Sequence, residues 1–348
     1  MIDIYAGKTA AKIITEQGFK PDLFNAFLGA SGGPKWFTLF GLDKYIFGEF
    51  FKNRSSQLNL IGSSAGAFRA ACFSQNDPVA AITRLAKSYS ETRYSSNKPT
   101  PQEITTKARA LLEDVFGDNG VAEIINNPVF KPHFIVAKSN GLVASEQKAL
   151  QLLGLTKSYL SNRVNRRFLT KQYERFIYQA PNSNFQLEDN YKFKTTQLDL
   201  TTDNLKDALL ASGSIPLVMQ GIKNIAGSPP GMYRDGGIVD YHFDFKINNP
   251  GLILYPHFNS DPKAGWFDKS LKRKVAAENY DNVVMITPSK KFIASLPYGK
   301  IPDRNDFTDL DADTRIKYWR TVFSETEKLA DDFDKKLNSE NIELKIIE

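Results

Sequence analysis

Gly62-Ser63-Ser64-Ala65-Gly66 carries a serine at G-x-S-x-G spacing, between the apolar run QLNLI (57–61) and the small-residue run AGAFRAACF. A serine on so sharp a strand-to-helix turn is held in a strained backbone conformation with its hydroxyl exposed. The helix that follows aims N–H groups at the same spot and favours developing negative charge. The chemistry this suits is nucleophilic attack on an acyl carbon. Ser63 falls on the variable position of the pattern, so Ser64 is the expected nucleophile.

A second turn, Ser31-Gly32-Gly33-Pro34-Lys35, also lies between an apolar run and a helical pattern. Adjacent glycines let the backbone turn its N–H groups inward as an anion nest. Pro34 has no N–H, so the donors are Gly32, Gly33 or Lys35. The Lys35 side chain either neutralises a substrate phosphate or fixes the loop through a carboxylate. The phosphate-loop pattern G-x-x-x-x-G-K-S/T is absent.

The serine needs a base. One arrangement is Ser64, Asp235 and either His257 or His242. Another uses Asp235 alone, on the glycine turn Tyr233-Arg234-Asp235-Gly236-Gly237. An aspartate is a poor base at its reference pKa of about 3.9, but desolvation in an apolar cleft raises it. The residue types leave both arrangements open.

The elements that must position these groups follow a parallel α/β rhythm. Residues 23–29 and 57–61 read as strands, each followed by a glycine turn and a helix. Periodic apolar positions predict helices over 78–90 and 101–116, and HFIVA (133–137) reads as an inserted strand. The segment 147–180 is basic and aromatic. Strand patterns return at 191–200, 251–256 and 283–287, and the tail IELKII reads as an edge strand. Thr201 or Thr202 is expected to cap the helix NLKDALLAS, which stops at Gly213. A helix from Asp313 carries Ile316, Trp319, Phe323 and Leu329 on one face. The simplest organisation is a single domain over 1–348, with a helical insertion over 78–180 and a C-terminal helical extension over 311–337.

Composition removes other classes. Of 348 residues, 41% are hydrophobic and 24% charged, enough to build a core and too apolar for a disordered chain. One cysteine excludes an intramolecular disulfide and a cysteine-based zinc cluster. The net charge of +6 is mild and compatible with an anionic surface. No apolar run approaches the roughly 18 residues of a spanning helix. The N-terminus carries Asp3 early and has no long apolar region, so no secretory signal is expected. The expected location is cytoplasmic, with peripheral contact at a membrane.

Taken together, SGGPK (31–35), GSSAG (62–66), ALLASGSIP (208–216) and DGG (235–237), in that order, resemble the patatin-like phospholipase family. The resemblance implies a three-layer α/β fold with a central, mainly parallel sheet. It implies a lipid acyl hydrolase with Ser64 as nucleophile, Asp235 as base, Gly32 and Gly33 in the oxyanion loop and Lys35 at its basic position. No histidine, metal or cofactor is required. The substrate class is a lipid ester, phospholipid or lysophospholipid first, and no nucleic-acid partner is expected. Two residues depart from the family loop G-G-G-x-R/K-G: Ser31 replaces the first glycine and Trp36 the last. Trp36 predicts a bulkier apolar wall. A Ser-Asp-His esterase and a non-catalytic lipid-binding protein are the competing readings.

Overall fold

A computed structural model of the chain describes residues 1–339 and 342–347. Its strands are β1 (Ile2–Ala6), β2 (Phe24–Gly29), β3 (Leu58–Ser63), β4 (Phe130–Ser139), β5 (Tyr173–Gln179), β6 (Leu187–Glu188), β7 (Thr195–Asp199), β8 (Ile222–Lys223), β9 (Met232–Asp235), β10 (Lys246–Ile247), β11 (Leu252–Pro256), β12 (Val283–Pro288) and β13 (Lys345–Ile346). The main sheet runs β13-β1-β12-β11-β2-β3-β4-β5-β7, with β9 also paired to β4 and β8 to β9; β6 and β10 form a separate ribbon. From β12 through β4 every neighbouring pair is parallel.

Parallel strands need crossovers, and these cover both faces of the sheet. The strands accordingly bury side chains on both sides. Leu58 and Leu60 of β3, Leu252 and Leu254 of β11, and Val284 and Ile286 of β12 enter one core. Ile61, Ile253, Tyr255, Val283 and Met285 enter the other. The result is the mainly parallel α/β sheet with covering layers that the sequence predicts.

Local rules explain several helix starts. Asp77 accepts the Ala80 N–H at 2.9 Å ahead of Pro78, and Thr100 accepts the Glu103 N–H at 3.1 Å ahead of Pro101. The C-terminal helix is capped by Asp311, which accepts the Thr314 N–H at 3.0 Å. It is interrupted at Thr326 into Ala312–Glu325 and Glu327–Leu337.

Three local expectations change. The helix Leu205–Ser212 begins after Asn204, which makes no side-chain bond to it, and Thr201 closes the turn before it: its Oγ1 accepts the Asn204 N–H at 3.3 Å while its N–H donates to Asn204 Oδ1 at 2.8 Å. It does end at Gly213. The stretch 78–180 is not helical throughout: it contributes β4 and β5, and the HFIVA segment is the middle of the long strand β4 rather than an insert. β1, which has no motif, pairs antiparallel with β12, and β13 lies outside it as the expected edge strand. Among the described residues no helix is long and apolar enough to cross a membrane.

Candidate active site

Parallel pairing of β2 with β3 aligns Gly29 with Gly62, so the two glycine loops leave the sheet at the same edge. The helix Ala65–Phe73 then crosses close over both strands. A Cβ on Gly66 would run into the Gly29 carbonyl, and one on Gly62 would meet the Gly66 backbone. Ser64 itself has φ 52° and ψ −124°, a strained conformation for a residue with a side chain. It persists because its N–H is bonded to Ser212 Oγ at 3.0 Å, and Ser212 Oγ donates in turn to the Ile135 carbonyl at 2.7 Å.

Asp235 reaches Ser64 through the sheet. β3 ends with Ser63 opposite Ile135 of β4. β9 enters antiparallel along the same edge of β4 and ends with Asp235 opposite Val136. Two residues 171 positions apart thereby become neighbours, and Ser64 Oγ donates to Asp235 Oδ2 at 2.8 Å. The Gly237 N–H donates to Asp235 Oδ1 at 2.7 Å, and the Asp235 N–H donates to the Ser214 carbonyl at 3.1 Å. Downstream, Asp240 takes a bidentate bond from Arg175 at 2.6 and 2.8 Å, which anchors the loop.

Burial raises the Asp235 pKa to about 6, against the lowering effects of the Ser64 and Gly237 hydrogen bonds and of Lys269 and Arg304. A proton acceptor with that pKa is ionised near neutrality and still basic enough to receive a proton. The same shift predicts a stability effect. The folded pKa lies above the unfolded value, so the stabilisation is present below about pH 4 and is lost as pH rises through about 6. Asp235→Asn should therefore melt at a higher temperature than the parent at about pH 8, with the gap closing in acid. Thermal scans across that range check the sign.

Gly32 and Gly33 lead into a tight helical turn whose first bond is Lys35 N to the Gly32 carbonyl, at 3.4 Å. Their N–H groups come ahead of that ladder and are the orphan donors of a helix start. Gly32 packs against Phe258, where a Cβ would collide with the ring. The Lys35 ammonium pairs with Asp303 at 3.4 Å. Ser31, at the departure from the family loop, is buried and donates to Ser63 Oγ at 3.0 Å.

All five sequence-flagged residues, Gly32, Gly33, Lys35, Ser64 and Asp235, line one small polar cavity of about 70 Å³. Trp266, Lys269, Asp303 and Arg304 are among the residues on it that sequence reasoning missed. Lys269 is solvent-accessible and sits in a basic run, with nothing local to single it out. Its ammonium lies 4.1 Å from the Tyr241 ring centroid. Desolvation there, then the Arg304 and Lys35 charges, lower its pKa. A second cavity of about 430 Å³ meets the first at Ser64, Gly33, Ile215 and Arg304. It is lined by Trp36, Phe68, Leu85, Leu111 and Val218, among others, so Trp36 does form an apolar wall.

The histidines stand apart from the serine. His242 Nδ1 accepts the Lys263 N–H at 2.9 Å, and His257 is bonded to Asn259. Their rings pack 4.3 Å apart, and burial lowers both pKa values, that of His257 to about 3. Among the described residues neither ring is bonded to Ser64 or Asp235.

Residues 59–242 match the sequence profile of the patatin-like phospholipases. The chain belongs to that family. The matched span runs from β3 past the DGG turn and so contains Ser64, Ser212 and Asp235. No curated protein matches the chain. Among solved structures, human GIVD cytosolic phospholipase A2 is similar at 9% identity and a TM-score of 0.37, over 94% of this chain and 62% of that one. VipD from Legionella pneumophila is similar at 12% identity and a TM-score of 0.36, over 89% of this chain and 67% of that one. The chain thus spans less than two thirds of the human protein's length.

Proposed function

We propose that the chain, acting as one domain, is a serine acyl hydrolase of lipid esters that works through a Ser64–Asp235 dyad. The observation that carries this reading is the 2.8 Å bond from Ser64 Oγ to Asp235 Oδ2, made where a polar and an apolar cavity meet. Asp235 accepts the Ser64 proton as Oγ attacks the ester carbonyl. The oxyanion takes hydrogen bonds from Gly32 and Gly33, assisted by the N-terminus of the Ala65–Phe73 helix; such donors are worth about 3 kcal/mol each. Protonated Asp235 returns its proton to the leaving alcohol. Water activated by the same carboxylate then cleaves the acyl-enzyme and releases the fatty acid.

The cavity pair supports a phospholipid or lysophospholipid over a neutral acylglycerol. The apolar cavity suits an acyl chain, and Lys35, Lys269 and Arg304 gather positive charge on the polar side. Lys35 is already paired with Asp303, which leaves Lys269 and Arg304 as the stronger contacts for a headgroup phosphate. Turnover of a panel of phospholipids, lysophospholipids and acylglycerols tests the reading. Lys269→Met and Arg304→Met are each expected to raise KM for phospholipids about tenfold, the scale of one charge-assisted hydrogen bond, while leaving acylglycerol KM nearly unchanged. Absence of turnover on every ester of the panel would overturn the hydrolase assignment.

A further inference from the structure

The helix Lys148–Val164 faces the wrong way for an ordinary surface helix. Its inner face is largely polar: Gln151, Ser158 and Asn162 are buried beside Gly154 and Leu155. Each is satisfied. Gln151 Oε1 accepts the Leu217 N–H at 2.7 Å, Ser158 Oγ lies 3.0 Å from the Tyr173 hydroxyl, and Asn162 Nδ2 donates to Asp268 at 2.8 Å. Its outer face carries Leu152, Leu153, Leu160 and Val164, the last 77% exposed. Phe168, 44% exposed, follows in the next turn. Of the eleven large hydrophobic residues that are exposed among the described residues, eight fall between Leu142 and Phe168. Scattered exposed leucines need no explanation, but a contiguous apolar face marks an interaction site.

The charge around this face has one sign. From Gln147 to Tyr173 the sequence holds no Asp or Glu and six Lys or Arg. Arg166 is buried against Asp268 at 3.0 Å, and the other five, Lys148, Lys157, Arg163, Arg167 and Lys171, are exposed. The flanking Glu146 turns inward to Arg234 at 2.5 Å. Leucines framed by basic side chains are complementary to an acyl layer beneath anionic headgroups. The inner face also reaches both sides of the active site. Leu217 lines the apolar cavity, and Asp268 lies between Trp266 and Lys269 of the polar one.

We propose that the outer face of Lys148–Val164, continued by Phe168, docks on the surface of an anionic lipid bilayer. The leucines enter the interface, the five basic side chains meet the headgroups, and the helix holds the site mouth beside the membrane. This goes beyond the catalytic assignment and does not depend on it.

The test is flotation of the Ser64→Ala protein with phosphatidylcholine vesicles, with and without phosphatidylserine. The inactive background removes hydrolysis from the readout, so a failed hydrolase reading would leave this result intact. The protein is expected to float with the phosphatidylserine vesicles and much less with phosphatidylcholine alone. Leu153→Ser combined with Leu160→Ser should weaken that binding at least about tenfold, from the apolar area withdrawn. Lys157→Glu combined with Arg163→Glu should remove the preference for the anionic vesicles. With Ser64 restored, both pairs should retain turnover of a dispersed short-chain ester. Equal flotation of parent and variants, or no flotation of the parent, would overturn the proposal. So would a dimer in solution that the leucine pair dissolves without any vesicle affinity, because the face would then belong to a second copy of the chain.

Discussion

Ser64→Ala and Asp235→Asn are each expected to lower kcat on a lipid ester by about 10⁴-fold, the scale seen when one member of an acyl-transfer unit is removed. The two losses should not add. A protein lacking both groups should be about as slow as either single variant, because nucleophile and base act as one unit. Asp235→Asn is the sharper of the pair. Its Oδ1 can still accept the Gly237 N–H that Asp235 accepts at 2.7 Å, while its Nδ2 takes the place of the oxygen that accepts the Ser64 hydroxyl, so the turn survives while the base is lost. In the parent, kcat/KM should rise with pH through about 6 as Asp235 ionises, then level off. A Ser-Asp-His esterase would instead lose its activity in His242→Gln or His257→Gln. Those variants should retain turnover here, since both rings are committed to Lys263 and Asn259. Initial rates of the purified variants, with their circular dichroism spectra compared to the parent, decide between the two.

The second large effect lies under the site rather than in it. Arg69 and Asp43 are both fully buried and form a bidentate pair, at 2.8 and 2.6 Å. Arg69 belongs to the helix that starts at Ser64, and Asp43 to the helix that follows the Gly32–Gly33 loop. The pair therefore ties the nucleophile turn to the anion loop. Arg69→Met would leave the Asp43 carboxylate buried and unpaired, at a cost of about 3–5 kcal/mol. Asp43→Leu added to it should recover much of that loss, because an apolar pair of similar volume carries no desolvation penalty. Urea unfolding of both proteins measures the difference. Full stability of Arg69→Met alone would show that the pair contributes nothing.

The three motif-bearing turns were legible because each is a local event. GSSAG sits between an apolar run and a small-residue run, and close helix-over-strand packing demands glycine at Gly62 and Gly66 whatever surrounds them. The same holds for strands as apolar as β11 and β12. The long strand β4 was only partly legible: His133 and Lys131 interrupt its apolar pattern, yet both are buried within it. β7 falls inside the strand pattern at 191–200, whereas β1 is too short to stand out and declares itself only through its partners.

The sequence by itself determined the residue types at the site, the order of the turns that carry them and the family to which they belong. It left open whether Asp235 meets Ser64 directly or through a histidine. Tertiary structure brings the two side chains within hydrogen-bond distance, because β3 and β9 share one edge of β4 and end on adjacent residues, a pairing encoded by no local pattern. It also brought Lys269 and Arg304 to the polar cavity from loops without motif. Leu152, Leu153 and Leu160 of Lys148–Val164 are apolar like a core face, and the burial of Gln151, Ser158 and Asn162 on the opposite side turns them outward. Helical periodicity specifies which residues share a face, whereas the neighbours that satisfy buried polar groups specify which face is inside.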